Sequence, residues 1–174
     1  LAGGASSSAN TSATLPTSLA AGTWYIGAIA DYSNIVKTES SETNNARAGN
    51  VIALTSGVDL VMTAVSGPTS GTKGTSIGIS NTVKNQGTGG VASFAIGLYL
   101  SPDATITTTD LRIGTRSVGS LAAGVSSSAT TSVTIPATIA GGTYYIGAVA
   151  DYSNSRPESN ETNNARAGNT LVVQ

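Results

Sequence analysis

Six of the nine acidic residues in this chain stand in two copies of one short block. DYSNIVKTESSETNNARAGN runs from Asp31 to Asn50, and DYSNSRPESNETNNARAGN from Asp151 to Asn169. Each copy mixes carboxylates with side-chain amides: Asp31, Asn34, Glu39, Glu42 and Asn44 in the first, Asp151, Asn154, Glu158, Glu161 and Asn163 in the second. Carboxylates and amide carbonyls are the oxygen donors a hard cation prefers, and calcium takes about six to eight of them. Gathered in one loop, these residues form a candidate calcium site in each copy. The same residue types also cap turns by accepting backbone N–H bonds, and Glu161 is placed to satisfy loop amides or to pair with Arg166. The spacing is not that of an EF-hand loop. Both readings stand on the sequence.

Other chemistry has less to work with. There is no histidine, so the commonest general base and transition-metal ligand is missing. Without cysteine, no disulfide or thiolate site forms within the chain. Serines are plentiful but only Lys37, Lys73 and Lys84 could activate one, and none sits in a recognisable catalytic context. Asp103 and Asp110 flank the Thr-rich stretch SPDATITTTDLRIG, where they open and close a turn or hold a second cation. Lys84 beside Asn85 raises an isopeptide crosslink, but strand alternation turns Lys84 away from Val83 and outward. Trp24 and Tyr144 hold the same place in the two copies and alternate with Ile26 and Ile146, which predicts core packing rather than a sugar platform. Asn10 and Asn160 match glycosylation acceptors, a weak signal. The net charge of −1 gives no basis for binding nucleic acid, and no apolar run is long enough to insert in a membrane.

The elements that position the acidic blocks follow from a longer repeat. LAGGASSSANTSATLPTSLAAGTWYIGAIADYSN from Leu1 matches LAAGVSSSATTSVTIPATIAGGTYYIGAVADYSN from Leu121 at roughly two-thirds of positions. The first copy carries one extra residue between Asn34 and Glu39, and the period is about 120 residues, a common domain size. Nothing like Val58–Ser120 stands ahead of Leu1, so the expectation is half a repeat over 1–56 and a whole one over 57–174. Half a β-domain exposes its apolar face and strand edges; either a longer polypeptide or another chain would supply the rest.

Period-two alternation predicts strands over Val58–Val65, Thr75–Asn85, Val91–Ser101, Ser127–Pro136, Gly142–Asp151 and Ala165–Gln174, with short pieces at Leu111–Gly114 and Arg116–Val118. Ile77, Ile79 and Val83 share one face. So do Phe94, Ile96, Leu98 and Leu100, and likewise Ala129, Val133 and Ile135. No helical period is sustained. About seven strands with Gly/Ser/Pro turns predict an all-β, immunoglobulin-like or fibronectin-III-like sandwich.

The order DLVMTAVSGP, TVKNQGTGGVASFAIGLYLSPD, LAAGVSSSATTSVTIP, GTYYIGAVAD and ESNETNN resembles the CARDB family, a cell-adhesion-related domain found in bacteria. The resemblance spans the second repeat and the matching part of Leu1–Leu54. It implies tandem immunoglobulin-like or fibronectin-III-like domains in secreted or surface-anchored bacterial and archaeal proteins; it does not imply a catalytic activity. Asn81 departs from the pattern, standing where an apolar residue is expected.

The functional expectation is a non-enzymatic extracellular or cell-surface protein, a stalk or filament built from repeats. Its partners would be neighbouring repeats or identical chains in a fibre, with a surface protein or glycan as ligand. The alternatives are a filament subunit completed by strand exchange and an accessory binding module of a secreted hydrolase.

Overall fold

Alternating β-branched and small polar residues, broken by Gly, Pro and Asn, give strands and turns from Gly22 onward among the described residues. The computed structural model describes residues 1–16, 21–41 and 43–174, and none of these is helical. The chain divides into two units, Leu1–Leu54 and Thr55–Gln174.

The second unit is a two-layer immunoglobulin-like sandwich. One layer joins β3 (Leu60–Ser66), β5 (Ser76–Asn85) and β8 (Ser126–Thr134) in the order β3-β5-β8. The other has the order β4-β10-β9-β6-β7, from β4 (Ser70–Gly71), β6 (Phe94–Ser101), β7 (Leu111–Val118), β9 (Gly142–Val149) and β10 (Ala165–Val173). Only the two-residue β4 pairs in parallel, with the end of β10.

Alternation sends Ile77, Ile79 and Val83 of β5 into one core with Phe94, Ile96, Leu98 and Leu100 of β6 and with Ile146 and Leu171 of β9 and β10 in the same sheet as β6. Each such fully buried aliphatic side chain contributes roughly 1.5–3 kcal/mol. β6 is buried on both faces. Its outward Tyr99 packs with Ile106 and Val149 in a smaller cluster on the outer side of the larger sheet. Ile106 comes from the loop before β7 and lies over Gly147, where a Cβ would collide with its side chain.

Three details differ from the sequence reading. The pieces at Leu111–Gly114 and Arg116–Val118 are one strand, β7, paired along β6 with a register shift between Leu98 and Tyr99. Ala129 is exposed although Val133 of the same strand and Ile135 just after it are buried. Asn81 is buried at 2% exposure among apolar neighbours and is fully hydrogen-bonded there, with Arg116 as its main partner.

Among the described residues the first unit forms one hairpin, β1 (Gly22–Ile29) with β2 (Ala46–Leu54), antiparallel with a register shift between Tyr25 and Gly27. It repeats the β9–β10 hairpin. Trp24, expected in a core, is 40% exposed. Its counterpart Tyr144 packs against the sandwich core. The sequences match; the covering layer does not.

Candidate functional site

The acidic block of the second unit is the loop between β9 and β10. It starts with a tight turn that only a few residue types accept. Asp151 has φ 41° and Asn154 φ 50°, both in the left-handed region that Asp and Asn tolerate best after glycine. The Asn154 amide closes the turn on the Asp151 carbonyl at 2.7 Å. The Asp151 carboxylate is buried at 3% exposure. Its Oδ1 accepts the Ser155 hydroxyl at 2.8 Å and its Oδ2 the Arg156 amide at 2.7 Å.

The first unit builds the same turn. Asp31 and Asn34 have φ 44° and 49°. Asp31 Oδ1 accepts the Ile35 amide at 2.9 Å and Oδ2 the Val36 amide at 2.7 Å. The Asn34 amide closes on the Asp31 carbonyl at 2.7 Å. This turn forms without the covering layer, so it is encoded locally.

Beyond the turn, the loop of the second unit reaches back to the start of its repeat. Glu158 is half-buried; Oε2 accepts the Leu60 amide and Oε1 the Asn164 side-chain amide at 2.8 Å. Burial pushes its carboxyl up to about 7, with the nearby Glu161 and Asp151 charges adding to the shift and the two donated bonds opposing it. Glu161 Oε1 accepts the Glu158 amide at 2.8 Å, and among the described residues no salt bridge joins it to Arg166. Asn163 Nδ2 donates to Asp59 at 2.8 Å. Ser56 Oγ donates to the Pro157 carbonyl at 2.7 Å, the Ser159 amide to the Val58 carbonyl at 2.8 Å, and the Arg156 guanidinium twice to the Ser93 carbonyl. The block is therefore a clasp, fastening the entry of β3 to the final hairpin. Asn154 lines a shallow cleft beside it with Asp151, Glu161, Asn164 and Thr108.

Two acceptors in the clasp stay unsatisfied. Asn163 Oδ1 and Asn164 Oδ1 are buried with no hydrogen-bond partner, while the amide nitrogens of both residues donate to carboxylates and so fix the orientation. Among the described residues no three acidic side chains group as metal ligands. Of the first-copy candidates, Asp31 caps its turn, Glu39 is half-buried, Asn34 and Asn44 are exposed, and Glu42 lies outside the described residues.

Several participants escaped the sequence reading. Asp59, Ser56 and Ser93 stand about a hundred or sixty residues before their partners, and no spacing links such distant positions. Asn85 is fully buried, with its amide bonded to the Gly89 and Leu121 carbonyls and its Oδ1 accepting the Asp59 and Gly87 amides. A local signal existed for it in the NQG turn. The expected turn around Asp103 and Asp110 is present: Asp103 caps the Thr105 amide and Asp110 the Thr107 amide, each at 2.7 Å.

The CARDB family model matches residues 57–168, most of the second unit. The chain belongs to the CARDB family. Among solved structures, a CARDB domain from Pyrococcus furiosus, described in complex with di-metal ions, is similar with a TM-score of 0.51 and 24% identity over 69% of this chain and 91% of that one. The solution structure of that domain gives 0.50 and 25% over 67% of this chain and 94% of that one. A domain assigned to a cell surface protein of Methanosarcina acetivorans gives 0.47 and 20%, covering 67% and 92%. The two Pyrococcus furiosus structures agree with the CARDB sandwich. A search among curated proteins finds no match.

Proposed function

We propose that this CARDB protein is a non-enzymatic structural and adhesive module of the cell surface, in which sandwich repeats follow one another as a stalk. The observation that carries this reading is the use of the repeated acidic block. Its carboxylates cap a turn and clasp the first strand of the repeat to its last hairpin. A clasp of this kind makes each repeat a closed mechanical unit, and adding repeats adds length at little sequence cost. CARDB membership supports the surface placement. Serum raised against residues 57–174 should label intact cells of the source organism, and the labelled polypeptide should run under denaturing conditions at the mass of many repeats. Label found only after lysis would end the surface reading. A mass near that of this chain would favour a filament subunit, and a catalytic domain in the same polypeptide would favour an accessory module of a hydrolase.

A second reading concerns the ion. Buried acceptors left unpaired cost about 1–3 kcal/mol each, and the amide oxygens of Asn163 and Asn164 are two such groups, on side chains whose amide nitrogens donate to the Asp59 and Glu158 carboxylates. We infer that calcium, which takes all-oxygen sites, binds at this clasp with those oxygens among its ligands. Calcium should then raise the melting temperature over that in chelator, because it binds only the folded loop. Identical melts in the two conditions would end this reading.

A further inference from the structure

The β1–β2 hairpin has the sequence of a covered element and the surroundings of an uncovered one. In the second unit, Ile146, Ala148 and Ala150 of β9 and the segment after it are fully buried, as is Leu171 of β10. Their counterparts Ile26, Ala28 and Ala30 are exposed, Ile26 by 54%, and Ile52 is half-buried. On the opposite face, Ile29 is 62% exposed where Val149 lies under Tyr99 and Ile106.

Hydrogen bonding shows the same deficit. One edge of β9 pairs with β6, from Gly97 against Val149 to Ser101 against Tyr145. Among the described residues, β1 pairs only with β2. Ser126–Thr134 forms β8 by pairing along β5. The near-identical Ser6–Thr14 forms no strand and is exposed. The preceding turn is unaffected: Gly4 has φ 77° and Gly124 φ 74°, each followed by an amide that closes on the carbonyl three residues back. What is local has formed, and what needs a partner strand has not.

All three deficits name one occupant. The missing neighbours are a β5-type strand for Ser6–Thr14, a β6-type strand for the β1 edge, and the β3 and β5 side chains that cover the inner face. In the complete repeat, each of these lies between Gly57 and Ser120. We propose that the open edge and apolar face of β1–β2, with Ser6–Thr14, accept a half-sandwich of the kind encoded by residues 57–120, joined in the same polypeptide on the amino side of Leu1. A second copy of the chain is the poorer donor. Lending its β3–β7 strands would uncover its own β8–β10, exchanging one exposed core for another.

Trp24 is the single tryptophan of the chain and sits on the face in question, so its fluorescence reads the occupancy directly. The sequence Gly57–Ser120 is placed directly before Leu1 of the full chain. Tryptophan emission should shift to the blue and quenching by acrylamide should fall several-fold, with the extended protein still monomeric by sedimentation. Ile26→Asp in the extended chain should return both signals to those of the unextended chain. Emission and quenching unchanged by the extension would overturn the proposal. It would also be overturned if the unextended chain already showed blue, protected emission that tracked a concentration-dependent dimer, since a second copy would then be the occupant. Cell-surface placement affects neither result, so this test and the labelling experiment fail independently.

Discussion

Arg116 of β7 crosses from one sheet of the sandwich to the other and places Nη1 2.9 Å from Oδ1 of the buried Asn81 on β5. The same nitrogen also donates to the Asn81 and Ser127 carbonyls, and Asn81 Nδ2 donates to the Ile79 carbonyl and Thr131 Oγ1. Both side chains are thereby satisfied, which is why a polar residue is stable at an apolar position of the strand pattern. Asn81→Ala should destabilise the second unit by about 1–3 kcal/mol, because it strands the guanidinium. The double variant Asn81→Val with Arg116→Met should recover most of that loss, since removing both partners leaves no orphan. Urea melts of the two singles and the double form the cycle. A double variant as unstable as the sum of its singles would contradict this account.

The turns at Asp31 and Asp151 offer an internal control. Asp151→Ala removes two charge-assisted bonds and puts alanine at φ 41°, so the second unit should lose about 2–4 kcal/mol. Asp151→Asn keeps the tolerance for that backbone and should cost less. Asp31→Ala breaks the matching turn of the first unit and should leave the main melting transition, that of the complete sandwich, in place. A large shift of that transition by Asp31→Ala would show that the two units unfold together.

Gly87 belongs to the NQGTGG turn and packs against the entry of β3. A Cβ there would run into the Gly57 carbonyl and the Asp59 amide, both backbone atoms that cannot swing aside. Gly87→Ala should therefore displace Asp59 from Asn85 and Asn163 and destabilise by about 1–3 kcal/mol. Gly119→Ala, where a Cβ meets nothing, is the matched control and should stay within about 0.5 kcal/mol of the parent.

Alternation carried the strands well because one face of each is buried and period two is then a direct record of the core. It stopped short where pairing overrides pattern. Alternation gave two short pieces, Leu111–Gly114 and Arg116–Val118, but β7 runs through both because β6 supplies a partner across the shift at Leu98 and Tyr99. Ala129 alternates in step with the buried Val133 of the same strand and is nonetheless exposed, so period two alone does not record burial there. The acidic block was visible as a cluster and turn capping was one of its two readings, but its long-range partners were not, since Leu60 and Asp59 lie about a hundred residues upstream and meet it only in the fold. The first unit shows the limit most plainly. Trp24 and Tyr144 share a sequence context, and only the neighbours brought by tertiary structure separate an exposed ring from a packed one.

Glu158 gives the clasp a pH dependence. Its carboxyl is raised from 4.5 to about 7 in the folded protein, so between these values the native state holds a proton that the unfolded chain has released. The stability this group contributes is complete below about 4.5 and is lost as pH rises through about 7. For a half-exposed carboxyl the effect is on the order of 1 kcal/mol after discounting for solvent screening. Glu158→Gln should remove the slope, because glutamine keeps one acceptor and its amide can donate to Asn164 Oδ1 once that side chain flips. Melting temperatures measured in chelator across pH 4 to 8 should fall for the parent and stay flatter for the variant. A parent that gains stability over the same interval would show that Glu158 is held ionised by its two donated bonds, with burial the weaker influence.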